Sequence, residues 1–241
     1  MKGKGGIIRS GRSALLLWLP LLAFFASGAH GAESPAGLAA AGWEESTPGR
    51  WNRLAERKVE AAGNRLSAEF LLSPGSGVSW EKKVSWDNAA RGLLSLEFLC
   101  DGANPSSRDY KEFDARFPVS VTVVFGKDSQ ELGWRRRFLD FFRKIRHGFP
   151  PGGIRLVYAW GNRVPVNSMY RTADEETVFI LAGEEERGKT VQSKRDVRKD
   201  FMAAYGRFPK GPATRVIVSA GRPSKEKGNL KGRVTVVLPG P

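Results

Sequence analysis

Short runs of alternating apolar and polar residues recur along the chain from residue 51 onwards. They are rich in β-branched and aromatic residues, and the segments between them are rich in Gly, Pro and Asn. Because strand side chains alternate between the two faces of a sheet, each run predicts a strand with one buried face. The predicted strands are 51–59, 66–72, 79–86, 93–99, 119–125, 154–160, 177–182, 214–220 and 233–238. So many short strands predict a β-sandwich or a barrel.

Two segments show helical rather than alternating spacing. In 132–146, the residues Trp134, Phe138, Phe141, Phe142 and Ile145 fall on one stripe, and basic residues fall on the remainder. In 193–205 an apolar stripe follows a capping-box-like start and ends at a glycine. We therefore expect a mainly β protein with two short helices.

The N-terminal region has the pattern of a secretory signal peptide. Residues 1–12 contain four Lys or Arg and no acidic residue, 14–26 are almost wholly apolar, and small residues follow. The apolar run is too short to span a membrane, which takes about 20 residues. We expect a signal peptide over 1–31, a flexible Ala/Gly/Ser/Pro-rich linker over 32–50, and a single sandwich domain over 51–241. The chain would be exported to the periplasm or secreted.

Composition limits the chemistry that this chain can perform. The 241 residues include one cysteine and two histidines, so an intramolecular disulfide, a His/Cys zinc site and a histidine-centred catalytic triad are not expected. The formal net charge of +14 favours anionic partners. Nucleic acid is not expected among them, because the leader directs the chain away from the genome. The charge could also serve solubility alone.

The C-terminal half carries a characteristic order of motifs. It runs through the segment 158–168, Tyr170, Ala182-Gly183, Gln192-Ser193-Lys194-Arg195-Asp196-Val197, Asp200-Phe201 and Tyr205-Gly206. This order resembles a family of exported bacterial proteins known only as domain of unknown function 3047. The resemblance implies a jelly-roll-like antiparallel β-sandwich of the kind seen in sugar-binding modules, and no established activity.

The chain departs from that family's pattern at two places. Asn167 stands where the family has glycine, and Gly221-Arg222-Pro223-Ser224-Lys225 stands where the family has an acidic stretch. If the acidic stretch binds a metal or ligand in the relatives, we expect that function to be lost here.

One loop has the residues expected of a ligand site. It follows the predicted strand 154–160, and loops on a rigid scaffold are where binding sites usually lie. An aromatic ring can stack on a sugar while polar neighbours hydrogen-bond to it. The predicted ligand-binding residues are Trp160, Asn162, Arg163 and Tyr170.

A polar loop after residue 100 allows three interpretations. It could hold Ca²⁺, the one cofactor that we consider, through oxygens of Asp101, Asn104 and Asp109. Its carboxylates, Asp109 and Asp114 among them, could instead act as a glycan-cleaving pair. It could also be a solvated loop. No catalytic residue is assigned.

The basic helix predicted over 132–146 is a candidate contact for an anionic membrane surface or a polyanion, through Arg135, Arg136, Arg143 and Lys144. Packing of its apolar stripe on the sandwich is the alternative.

The leading functional hypothesis is a non-catalytic binding module for a carbohydrate or cell-envelope component. A carboxylate-based glycan-cleaving enzyme and a peripheral membrane-surface protein are the alternatives.

Overall fold

Two sheets, paired mainly antiparallel, lie face to face in the computed structural model of this protein, and apolar side chains fill the space between them. The structure describes residues 35–46, 51–86, 93–107, 117–126, 153–173 and 175–240. Within those ranges, no helix is long and apolar enough to cross a membrane.

Sheet A has eight strands, and in its main path they follow the order β1-β5-β12-β7-β8-β10-β9, with β2 beside β5. The pairs β8–β10 and β2–β5 are parallel. Its strands are β1 (Trp43–Ser46), β2 (Arg53–Leu54), β5 (Ser76–Trp86), β7 (Val119–Phe125), β8 (Ile154–Trp160), β9 (Met169–Ala173), β10 (Glu176–Ala182) and β12 (Ala213–Gly221).

Sheet B has five strands in the order β11-β6-β13-β4-β3, all paired antiparallel. Its strands are β3 (Glu56–Ala62), β4 (Arg65–Leu72), β6 (Leu94–Cys100), β11 (Val191–Arg195) and β13 (Leu230–Val237). Two α-helices, α1 (Pro35–Ala40) and α2 (Val197–Tyr205), and a 3₁₀ helix (Glu184–Glu186) complete the described elements.

The main core lies between the sheets, where alternate residues of each strand point inward. Leu156, Tyr158 and Trp160 of β8 are fully buried there, as the alternation predicted. A second, smaller core covers the outer face of sheet A and includes Val157 and Ala159 of the same strand. β8 is therefore apolar on both faces.

The predicted jelly-roll-like β-sandwich with two helices is confirmed; α2 corresponds to the second predicted helix, whereas α1 was not predicted. The predicted strands 119–125 and 154–160 coincide with β7 and β8. The segment 193–195 belongs to β11, so the second predicted helix begins four residues later, at Val197. The predicted helix 132–146 lies outside the described residues, as do residues 1–31.

The prediction of a flexible linker over 32–50 is wrong for residues 35–46. This segment forms α1 and then β1, which pairs antiparallel with β5. Leu38 and Trp43 belong to the main core, and burying an indole ring supplies enough apolar contact to order a short edge strand.

Trp51 packs across a pair of glycines on the outer face of sheet A. Gly77 of β5 and Gly221 of β12 are directly opposite each other in the ladder. A Cβ on Gly221 would lie 2.1 Å from the indole ring, and one on Gly77 would lie 2.5 Å from it. Both positions lack a side chain because the ring occupies that space.

The strand β12 runs between two ends of the sandwich. Its last residue, Gly221, leads into the loop that contains Arg222, and we call this the Arg222 end. Its first residue, Ala213, follows the loop that contains Phe208, and we call this the Phe208 end. A strand of this length separates the ends by about 25 Å.

We predict that Gly221→Ala destabilises the protein by about 1–3 kcal/mol, because the new methyl group must displace the Trp51 ring. Urea denaturation would measure the loss. Gly240→Ala is the control, since a Cβ there meets no atom within 4 Å. In a Trp51→Ala background the cost of Gly221→Ala should disappear, and an undiminished cost there would contradict this explanation.

Candidate functional site

Three loops meet at the Arg222 end: the segments that follow β6, β8 and β12. The backbone N–H of Asn104 donates to Oδ1 of Asn162, at 2.8 Å. The side-chain amide of Asn104 donates to the carbonyl of Gly221, at 2.9 Å. Asn104 is fully buried and Asn162 nearly so. The structure thus joins one residue of the predicted calcium set to one residue of the predicted ligand set.

The guanidinium of Arg222 binds four oxygens at the centre of this end. Nε and Nη2 donate to the carbonyls of Gly228 and Lys227, at 2.9 and 2.7 Å. Nη1 donates to the carbonyl of Ala103 and to Oδ1 of Asn104, both at 3.2 Å. Burial lowers the pKa of Arg222, and the charges of Glu226 and Asp101 oppose that shift.

Of the predicted calcium set, Arg222 thus binds Oδ1 of Asn104. Oδ1 of Asp101 accepts from the backbone N–H of Lys231, at 2.8 Å, and Asp109 lies outside the described residues. Within the described ranges, no group of three or more His, Cys, Asp or Glu is placed to hold a metal ion.

A buried carboxylate ties the 223–229 loop to the loop after β6. Oε1 of Glu226 accepts from the backbone N–H of Ser106, at 2.7 Å. Because Glu226 points inward, its neighbours Lys225 and Lys227 are exposed, as is Ser224. We call Arg222, Glu226, Asn104 and Asn162 the Arg222 network.

The four predicted ligand-binding residues occupy different environments. Asn162 belongs to the Arg222 network, and Arg163 next to it is exposed. Trp160 is fully buried between the sheets, so its ring is not available as a stacking platform. Tyr170 is half-buried against the small core on the outer face of sheet A.

Asn167, where the family pattern has glycine, has a φ of 67°. This is the left-handed region, which glycine adopts freely and asparagine better than most other residues. Asn167 therefore adopts a backbone conformation that a glycine could also adopt at this position.

A second buried polar cluster lies on the inner face of sheet A. Asp200 of α2 accepts from Nε and Nη2 of Arg195, at 2.9 and 2.5 Å. It also accepts from the hydroxyl of Tyr158, at 2.8 Å. These three residues, the Asp200 cluster, connect β11, α2 and β8. Sequence reasoning assigned them no role, although all three lie in the motifs that carry the family resemblance.

Aromatic contacts complete the surroundings of the Asp200 cluster. The guanidinium of Arg195 lies 5.7 Å from the centre of the Tyr158 ring and 5.3 Å from that of Phe179. Next to Asp200, Phe201 packs edge-on against Phe125. Burial and then the charge and hydrogen bond of Asp200 raise the pKa of Tyr158 well above its ordinary value, and Arg195 opposes the shift.

The fold and its two buried polar clusters define the class: a β-sandwich protein in which internal arginines fix the loops at one end and the helix α2. The chain belongs to the DUF3047 family, a protein family of unknown function, whose sequence model matches residues 76–228. That range contains both the Asp200 cluster and the Arg222 network. No curated protein matches the chain.

Three solved structures show a distant likeness. The enzymatically active domain of tailspike protein 4 of bacteriophage CBA120 is 8% identical, covers 86% of this chain and 21% of its own, and has a TM-score of 0.34. This chain thus spans about a fifth of that one.

The other two are of similar size to this chain. The xyloglucanase domain of NopAA, a type three effector from Sinorhizobium fredii in complex with cellobiose, is 13% identical over 80% of this chain and 91% of its own, with a TM-score of 0.37. Endoglucanase 3 of Trichoderma harzianum, from family GH12, is 10% identical over 81% and 98%, with a TM-score of 0.35. At these scores no residue role follows from any of the three.

We predict that Arg222→Met lowers the free energy of unfolding by about 3–5 kcal/mol, because four oxygens lose a buried charged donor. Arg233→Met is the control. Arg233 makes a partly exposed ion pair with Glu97, and its loss should cost no more than about 1 kcal/mol. Thermal and urea unfolding would measure both. Equal losses would contradict the central role of Arg222, and stabilisation of the wild-type protein by Ca²⁺ would support the calcium prediction.

We predict that Tyr158→Phe flattens the alkaline dependence of stability. Because burial and Asp200 raise the pKa of Tyr158 above its ordinary 10.0, the folded protein keeps a proton that the unfolded chain releases. Stability therefore falls as the pH rises above about 10. In Tyr158→Phe, which lacks the hydroxyl, the unfolding free energy should fall less steeply with rising pH, by up to about 1.4 kcal/mol per pH unit.

Urea unfolding between about pH 8 and 11 would test this expectation. At neutral pH the substitution should cost about 1–2 kcal/mol, since Asp200 loses one donor and keeps Arg195. If the unfolding free energies of the wild-type protein and Tyr158→Phe fall in parallel with pH, then Tyr158 is not the group that makes stability depend on alkaline pH.

Proposed function

We propose that this protein is an exported, non-catalytic binding module for a carbohydrate or another cell-envelope component, and that the ligand binds at the Arg222 end. Export rests on the signal-peptide pattern of residues 1–31. The place of binding rests on the Arg222 network.

The observation that carries the proposal is that buried hydrogen bonds fix three loops into one surface. Arg222 holds the backbone at Ala103 and at residues 227–228, Asn104 joins the loop after β8, and Glu226 holds Ser106. A surface fixed in this way pays little conformational entropy when a ligand binds. Such pre-organisation is typical of binding loops on a sandwich scaffold.

The groups presented at this end favour an acidic ligand. Arg163, Lys225 and Lys227 are exposed there, and the exposed, hydroxyl-bearing Ser224 lies directly before Lys225. Cations and a hydroxyl match the carboxylate or phosphate groups and the hydroxyls of an acidic glycan. With Trp160 in the core, recognition would rely on charge and hydrogen bonds rather than on ring stacking.

We predict that an array of neutral and acidic glycans, screened with residues 31–241, gives hits among the acidic ones that are independent of Ca²⁺. The double variant Lys225→Ala/Lys227→Ala should weaken a hit by about tenfold, because two exposed cations contribute roughly 1–2 kcal/mol in total. Lys58→Ala is the matched control, because Lys58 is an exposed lysine on β3 of the other sheet.

Equal binding by the double variant and the control would place the ligand elsewhere. A blank array with and without Ca²⁺ would refute the glycan proposal. Release of shortened glycan from a hit would replace the binding module with the glycan-cleaving alternative.

A further inference from the structure

The loop 206–212, which joins α2 to β12, exposes an aromatic ring at the Phe208 end. Half of the Phe208 side chain is exposed, which is more than for any other large apolar residue in the described ranges. Gly206, two residues before Phe208, ends α2 with a φ of 66°. Pro209, the residue after Phe208, is buried. The backbone on both sides is thus anchored while the ring faces solvent.

One cation contacts this ring, and three more lie close to it or to Arg198 in the sequence. The guanidinium of Arg198 lies 5.0 Å from the centre of the Phe208 ring, and Lys199, Arg207 and Lys210 are exposed nearby in the chain. Of the two acidic neighbours, Asp200 is buried with Arg195. Asp196 caps α2 by accepting from the N–H groups of residues 198 and 199, and it also pairs with Nζ of Lys199, at 3.8 Å. Arg198, Arg207 and Lys210 therefore supply most of the positive charge.

We propose that this surface, made of Phe208, Arg198, Lys199, Arg207 and Lys210, docks on a membrane that contains anionic lipid. Phe208 would enter the headgroup–acyl boundary while the cations face lipid phosphates. An exposed aromatic ring with Lys and Arg side chains near it is the combination that favours an anionic interface over bulk water. A soluble polyanion would be attracted by the cations, but it would not bury the apolar ring of Phe208.

The sequence that joins β7 to β8 at this end has a composition that suits a membrane surface. The N–H of Gly126 donates to the carbonyl of Pro212 in the same loop, at 3.0 Å, and Gly153 lies against Phe125. The sequence between them, 127–152, contains seven Lys or Arg, three Asp or Glu, and five Trp or Phe. This basic, aromatic sequence is attached beside the proposed surface, which itself consists of described residues alone.

The proposal does not depend on the ligand at the Arg222 end, because β12 separates the two ends by about 25 Å. A protein docked through Phe208 would direct its Arg222 end away from the lipid.

The test is co-sedimentation of residues 31–241 with phosphatidylcholine vesicles that either contain or lack phosphatidylglycerol. Residues 31–241 form one compact unit that includes all of the described core. The variants are Phe208→Ser, Arg207→Glu/Lys210→Glu and, as control, Leu54→Ser. Leu54 is a similarly exposed apolar residue, 43% exposed, and it lies at the Arg222 end beside Gly77. Thermal melting would first confirm that each variant is folded.

We expect the wild-type protein to bind the phosphatidylglycerol vesicles, and Phe208→Ser to lower its partition coefficient by about five- to tenfold. The charge reversals should abolish the preference for anionic lipid, and Leu54→Ser should change nothing. Phe208→Trp should retain binding and shift its fluorescence to shorter wavelength on the vesicles.

Three results would overturn the proposal. The first is no binding by the wild-type protein. The second is an equal loss in Phe208→Ser and Leu54→Ser. The third is binding that the charge reversals weaken but Phe208→Ser leaves intact, which would identify a site for a soluble polyanion.

Discussion

Asp200 is a buried carboxylate whose charge must be compensated, and the arrangement of one side of the sandwich follows from that need. A lone carboxylate in the core would cost several kcal/mol. Arg195 from sheet B and Tyr158 from sheet A both bind it, so neither sheet can shift without breaking a charged hydrogen bond. Because Asp200 is part of α2, the same contacts hold the helix against the inner face of sheet A.

The opposite side of the sandwich has a comparable connection. Glu45 of β1 binds the guanidinium of Arg57 on β3 and accepts from the indole nitrogen of Trp80, at 2.9 Å. Each open side is thus joined by an arginine from sheet B and a carboxylate from the other layer. The apolar core supplies most of the stabilisation, and these polar contacts determine how the two sheets align.

The alternation of residues predicts the long, apolar strands well and the short, polar ones poorly. β7 and β8 have the predicted bounds, because their inward faces are unbroken rows of apolar residues. β11 has the sequence Val-Gln-Ser-Lys-Arg and lies at the edge of sheet B, with β6 as its one neighbour among the described strands of that sheet. Its side chains carry too little apolar signal to distinguish it from the start of the following helix.

The candidate site could be predicted only in part, and the reason differs from the one that applies to the strands. Loops that end core strands are visible in the sequence, and Asn104 and Asn162 were found in that way. Their contact and the arginine between them were not visible, because Arg222 is 118 residues away from Asn104 in the chain. The net charge of +14 is equally uninformative about position: Arg195 and Arg222 serve the interior, whereas Lys225, Lys227 and Arg207 face solvent.

The packing of Trp51 across Gly77 and Gly221 makes three distant positions interdependent. A relative that keeps the indole ring has no freedom to acquire a side chain at either glycine. A relative that replaces the ring by a small residue is released from that constraint at both positions together. In relatives that extend over all three positions, the residues at 51, 77 and 221 should therefore vary in concert. Such covariation would mark which of them dock the segment before β2 on sheet A in the same way.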